Sequence, residues 1–414
     1  MSTWTRKLAI LLATGTATIT LFACTPISNY VINAAAEQGN AQAQNDLGVH
    51  YYNGEGVEKD PVKAAHWFRL AAEQGNALAQ CNLGVCYRDG EGVKKDLVKA
   101  THWFKLAAEQ GYAEAQNNLG ACYYNGEGVK KDLVEAAHWY KLAAEQGNAL
   151  AQNNLGVCYR DGEGVKKDLV EAAHWFKLAA EQGNALAQCT LGVLYRDGKG
   201  VRKDPVKAVH WSKLAAEQGY AQAQCNLGVL YHEGEGVKKD LVEAAHWFTL
   251  ATEQGNISAQ YCLGACYYNG EGVEKDPIKA VHWYKLAAEQ GDADAQHDLG
   301  VCYNNGEGVK KDPTKTVYWY ELAAKQGHVQ AQYYLGCFYL RGEGVDKDPV
   351  KAVHWFRLAA EQGDAKAQNN LGACYKDGKG VKKDLVEATH WFELAAKQGD
   401  TDAQKNLDRL RKSP

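Results

Sequence analysis

Along most of the chain apolar residues recur at intervals of three and four, and that pattern itself returns every 36 residues. In the copy beginning at Ala113, AEAQNNLGACYYNGEGVKKDLVEAAHWYKLAAEQGN, Ala115, Leu119 and Tyr123 stand at i, i+4 and i+8 and predict a first helix, A. Gly120 lies beside this stripe, where a missing side chain lets a second helix come close. Asn125-Gly126 ends helix A, with Gly126 suited to a left-handed C-cap. Asp132 opens helix B as its N-cap, and Glu135 is placed three residues later as a capping-box partner. Asp168/Glu171, Asp240/Glu243 and Asp384/Glu387 repeat the arrangement. Asp60-Pro61, Asp204-Pro205, Asp276-Pro277, Asp312-Pro313 and Asp348-Pro349 instead put proline at the first helical position, where no helical hydrogen bond is lost. Helix B is expected to bury Ala136, Trp139, Leu142 and Ala143 and to end at Gly147.

The same closing glycine recurs from Gly39 to Gly399, so ten full units run from Ala41 to Asp400. A unit of two short helices cannot bury its apolar face alone and must stack on its copies. The predicted fold is therefore all-α, an α-solenoid of ten 36-residue helix-turn-helix repeats spanning 41–400. Residues 24–40 read as a linker with a partial helix, Tyr30 to Gly39 being the tail of a helix B. Residues 401–414 read as a C-terminal capping helix in which Asp408 stands where helix A otherwise has its glycine.

Residues 1–23 break from the repeat. Arg6 and Lys7 precede an apolar stretch from Leu8 to Ala23, the layout of a bacterial export signal. Its 16 residues fall short of the roughly 20 that a spanning helix needs. The end, Leu21-Phe22-Ala23-Cys24, resembles the lipobox of bacterial lipoproteins, which implies cleavage before Cys24 and a diacylglyceryl group on its thiol. Thr25, where Asp would retain the protein at the inner membrane, resembles an outer-membrane sorting signal. An ordinary cleaved signal peptide and an uncleaved anchor are the alternatives. The expectation is an exported protein of the bacterial envelope, at the outer membrane or in the periplasm, or secreted, touching the membrane through its lipid alone.

Composition removes other classes. The chain carries 46 Lys and Arg against 50 Asp and Glu, a net charge of −4 spread through every repeat, so no basic field for nucleic acid arises. Cys86, Cys122, Cys158, Cys266, Cys302 and Cys374 share one repeat position. Packed helices about 8–10 Å apart hold such a column beyond disulfide reach, so these are read as small buried hydrophobes. His66, His102, His138, His174, His210, His246, His282, His354 and His390 each precede the repeat tryptophan, but the same spacing keeps them from converging on one metal. The Gly-x-Gly-Val-x-Lys-Asp loops lack the Gly-Lys-Ser/Thr ending of a phosphate-binding loop and read as turns with a docking valine. None of Ser2, Ser28, Ser212, Ser258 and Ser413 is followed by lysine three residues on, and Gly-x-Ser-x-Gly and His-Glu-x-x-His are absent. No metal, cofactor or small-molecule substrate is expected.

The phrases A-x-A-Q-x-x-L-G-x-x-Y, G-x-G-V-x-K-D, A-x-x-W-x-x-L-A-A and E-Q-G at this spacing resemble the Sel-one-like repeat family, relatives of the tetratricopeptide repeat, over residues 30–411. The resemblance implies a right-handed superhelix with a concave groove and a scaffold or adaptor role toward a protein or peptide, in signalling, envelope processes or host contact. By the same resemblance, positions five, nine and twelve of helix A line the groove. Position twelve reads Tyr52, Arg88, Tyr124, Arg160, Arg196, His232, Tyr268, Asn304, Leu340 and Lys376, and Tyr and Arg are enriched at binding hot spots. Asn117, Asn153, Tyr261, His297 and Tyr333 stand beside them at position five. The units from Ala113 and Ala149 differ at only five positions, two of them the change from Tyr124-Asn125 to Arg160-Asp161. A cysteine-rich branch of the family bridges helix B to the next helix A and has members associated with penicillins. Helix B here has no cysteine for that bridge, and a cell-wall or β-lactam hydrolase is the alternative function.

Overall fold

A computed structural model describes residues 25–412, with side chains over 31–411. Cys24 and the export segment lie outside the described residues. Those residues form 22 helices and no strand, nearly every helix 13 residues long, as an all-α solenoid requires. They divide into two compact units, one ending at Gln182 and the other starting at Gly183. The first holds a helix Thr25–Glu37 and then four A/B pairs, starting with Ala41–Asn53 and Pro61–Glu73. The second holds six further pairs and the terminal helix Thr401–Lys412. Within each unit, every helix packs on the next in sequence.

The helix boundaries follow from local chemistry. Gly126, at φ +77°, donates its N–H to Cys122 O, a left-handed cap on helix A. Asp132 accepts from the N–H groups of Val134 and Glu135 and so caps helix B. The expected capping box does not form, because the Asp132 N–H is already bonded to Tyr123 O at 2.9 Å. Asp168, Asp240 and Asp384 spend theirs on Tyr159, Tyr231 and Tyr375. That bond ties each connecting loop back to its own helix A.

The core differs from the expected stripe. Helix B buries Ala136, Ala137, Tyr140, Ala143 and Ala144, while Trp139 and Leu142 are half-buried. The aromatic after the tryptophan fills the repeat: Phe104, Phe176, Phe356 and Phe392 are fully buried. It lies on the helix A glycine, where a Cβ at Gly120 would stand 2.7 Å from the Tyr140 ring. The tryptophan instead covers the preceding repeat, Trp139 packing on the cluster of Phe104 and Leu119. In the repeat from Ala185 the aromatic is replaced by buried Ser212, and the cysteine position carries Leu194.

Two further contacts knit repeats together. The second loop glycine touches the first residue of the preceding helix B, so a Cβ at Gly164 would lie 1.8 Å from Leu133 O. Buried Gln116 donates to Ala108 O, at the end of the preceding helix B, at 3.2 Å and accepts from Gln146 of its own repeat at 2.7 Å. Gln80, Gln152, Gln224, Gln296, Gln332 and Gln368 make the same two bonds. A buried carboxamide costs free energy unless both ends are bonded, and here a neighbour completes each one.

Candidate functional site

The predicted groove residues divide by position. All ten at position twelve are half-exposed, each on the last turn of its helix A. Each tyrosine there, and the histidine, reaches the loop glutamate of the following repeat. Tyr52 bonds to Glu91, Tyr124 to Glu163, His232 to Glu271 at 2.9 Å and Tyr268 to Glu307. The arginines turn to the adjacent aspartate: Arg88 holds Asp89 at 2.8 and 2.9 Å, Arg160 holds Asp161 at 2.9 and 2.6 Å, and Arg196 holds Asp197 at 3.0 Å. Tyrosine at this position thus reaches across to the following repeat, whereas arginine stays within its own.

Electrostatics follow these contacts. The carboxylate accepting from Tyr124 pushes its hydroxyl up to about 12, as Glu91 does for Tyr52. Lys131 and Lys59 stand 5.6 Å over the rings of Tyr124 and Tyr52, and Lys275 stands 5.8 Å over Tyr268. The Arg88 guanidinium holds the Asp89 carboxyl below the usual range. Each of these rings and guanidinium groups therefore already has an intramolecular partner.

Position five is different and corrects the expected groove lining. Asn117 and Asn153 are buried, at 7% and 4% exposure, and within each unit position five meets position six of the next helix A. Asn82 donates to Asn45 and Asn154 to Asn117, both at 3.0 Å. Tyr261, His297 and Tyr333 are the bulky exceptions, half-buried in aromatic contacts. Tyr261 lies 5.9 Å from Tyr284, His297 stacks at 4.6 Å on His328, and Tyr333 lies 5.1 Å from Tyr334. Tyr261 and Tyr333 therefore act mainly as core side chains with one edge at the surface.

The nine histidines of the ladder are exposed, and each sets its ring edge-on to its own tryptophan at 5.0–5.5 Å. Cys86, Cys122, Cys158, Cys266, Cys302 and Cys374 are buried free thiols, and burial pushes the Cys86 thiol up to about 12. Val129 of the loop docks on the core as expected. Broad clefts beside these loops were not foreseen. One of about 800 Å³ is lined by Lys213, Tyr231, Lys238, Lys239 and Val242, and one of about 770 Å³ by Arg357, Tyr375, Lys382 and Lys383. The paired loop lysines were the available signal, hidden by an even overall charge.

Repeat length, the glycine under the aromatic ring and the alanine-rich helix B agree with one known pattern. The Sel1 repeat matches ten consecutive segments, the first 41–76 and the last 365–400, without a gap between them. The chain belongs to the Sel1 repeat family. Among solved structures it is similar to c5321, described as a protective antigen of uropathogenic Escherichia coli strains displaying an SLR fold. The two are 37% identical over 93% of this chain and 90% of that one, with a TM-score of 0.65. It is also similar to a Sel1 repeat protein from Oxalobacter formigenes, at 36% identity over 59% of this chain and 96% of that one, TM-score 0.54. The curated proteins contain no match. Sel1 repeat proteins generally mediate protein–protein interaction, and the fold is typically a non-enzymatic scaffold. Among the described residues no helix is long and apolar enough to cross a membrane.

Proposed function

We propose that this Sel1 repeat protein is an exported scaffold, tethered to the envelope by a lipid on Cys24, that captures a protein or peptide on the concave face expected of its repeats. The row of position-twelve residues does the capturing. Arg88, Arg160 and Arg196 supply charge, and Tyr52, Tyr124 and Tyr268 supply flat contact area. One observation carries this reading: nearly identical repeats change chemistry at position twelve, from Tyr to Arg to His, while each version keeps its own intramolecular anchor. A ligand with carboxylates can take over the arginine contacts, and its apolar groups can lie on the tyrosine rings.

The experiment compares partners captured from envelope extracts by the wild-type protein and by the Arg88→Ser/Tyr124→Ser/Arg160→Ser variant, with circular dichroism confirming that both are folded. A partner recovered only by the wild type supports the proposal. Identical recovery by both removes the row from the binding surface. Cys24→Ser should abolish labelling by radioactive fatty acid, and persistent labelling rules out the tether. Robust turnover of a β-lactam by the purified protein would replace the scaffold reading with the hydrolase one.

A further inference from the structure

Two cysteines that fall in different repeat columns are brought together by the stacking. Position six of one helix A contacts position five of the helix A before it. Asn82 meets Asn45 at 3.0 Å, Asn118 meets the sulfur of Cys81 at 3.7 Å, Asn226 meets that of Cys189 at 3.5 Å, and Asn406 meets Asn369 at 3.0 Å. At the junction between the helices Ala221–Glu233 and Ile257–Asn269 both positions are cysteine, Cys225 and Cys262. Cys262 packs on the cluster that contains Cys225, and the two side chains are in hydrogen-bond contact. All eleven cysteines among the described residues are free.

The two sulfurs differ in access. Cys225 is 3% exposed, whereas Cys262 is only partly buried and forms part of the wall of a cleft of about 190 Å³ with Val229, His232, Phe248 and Tyr261. The Cys262 S–H is in contact with the Cys225 sulfur, a contact that lowers the Cys225 thiol and, together with burial, raises that of Cys262. Paired thiols, one reachable and one sheltered behind it, have the layout of an attacking and a resolving cysteine.

We propose that Cys225 and Cys262 form a redox site that takes disulfides as its substrate and closes into an internal disulfide between consecutive A helices. Cys225, as the thiolate of the pair, takes the Cys262 proton while the Cys262 sulfur attacks one sulfur of an incoming small or protein disulfide, forming a mixed disulfide and releasing the first thiolate, which then receives that proton from Cys225. The Cys225 thiolate then attacks the Cys262 sulfur, and the second thiolate leaves. Two protein thiols lose two electrons, the incoming disulfide becomes two thiols, and the two protons end on those products. The bond requires the sulfurs to close from contact to about 2.0 Å. It joins the two helices that carry His232 and Tyr268, fixing that part of the position-twelve row. The site does not depend on the scaffold reading or on export.

The test uses the purified full chain, reduced and then exposed under native conditions to oxidised glutathione. After acid quench, unfolding and alkylation with N-ethylmaleimide, peptide mapping locates every thiol. The expected product has lost about 2 Da before alkylation through one disulfide, Cys225–Cys262, with the other repeat cysteines alkylated. Cys225→Ser should instead accumulate one glutathione adduct on Cys262, and Cys262→Ser should gain neither disulfide nor adduct. A disulfide mapped to Cys189–Cys225 or Cys262–Cys266, or both thiols alkylated after full equilibration, overturns the proposal. The wild-type map decides the matter even if a variant fails to fold.

Discussion

Replacing Ser212 with phenylalanine tests whether the core of the repeat from Ala185 is a compensated exception or a defect. In the repeat from Ala113 the buried aromatic Tyr140 lies close to the cysteines at position ten of its own and the next repeat, Cys122 and Cys158. Where the aromatic is lost to Ser212, those two positions carry Leu194 and Leu230, both buried. Ser212→Phe alone should therefore overpack the site and destabilise it by about 1–3 kcal/mol. Leu194→Cys with Leu230→Cys removes about two methylene equivalents at each site, roughly 1.6 kcal/mol apiece, and the cavity raises the pair to about 3–5 kcal/mol. The triple variant exchanges nearly equal volumes and should lie within about 1.5 kcal/mol of wild type. The coupling between ring and leucines is then about 3 kcal/mol or more. Because repeat arrays open in pieces, hydrogen exchange over the helix Pro205–Glu217 is the assay, with urea unfolding beside it. Effects that add to within about 0.5 kcal/mol would mean that these side chains do not share one space, and the compensation argument would fail.

Gly164→Ala should cost about 3 kcal/mol or more, because its Cβ would sit 1.8 Å from a backbone oxygen at φ +72°; a thermal unfolding shift worth less than about 1 kcal/mol would contradict the loop contact. Asp132→Ala should lose about 1 kcal/mol of cap energy, whereas Glu135→Ala should lose under about 0.5 kcal/mol, since the N–H it would have capped belongs to Tyr123 O; equal losses in denaturant titrations would restore the capping box. Glu163→Ala should bring the Tyr124 hydroxyl down from about 12 toward 10, read as phenolate absorbance with Tyr124→Phe as the assignment control. The sign follows from a raised pKa: the Tyr124–Glu163 contact contributes fully below about pH 10 and is lost as pH rises through about 12, and an unmoved titration midpoint in Glu163→Ala would remove the contact from solution.

What could be read in advance was whatever short-range chemistry decides. The glycine caps, the aspartate caps and the close approach at Gly120 depend on a few neighbouring residues, and all are found. The face of helix B was misassigned because Trp139 and Tyr140 are adjacent, about 100° apart around the helix. Which one enters the repeat's own core is settled by the glycine of helix A and by the preceding repeat. Glutamine at position four is polar and was passed over, although its two partners lie one element before and one after it. Position five looked like surface for the same reason: its partner lies in the next repeat. The Cys225–Cys262 pair is invisible to a search down single columns, because the contact joins one column to its neighbour.

The glutamine contacts also bear on how such a gene can change. Since most copies offer the same donor and the same acceptor to whichever copy adjoins them, unequal recombination that deletes or duplicates a whole copy can leave both ends of the amide bonded at the new junction. A frame-preserving insertion of a single residue in a loop would instead displace the glycine that rests on its neighbour. Chain length can therefore drift in steps of one copy at little cost to folding, and relatives of differing length are the natural outcome.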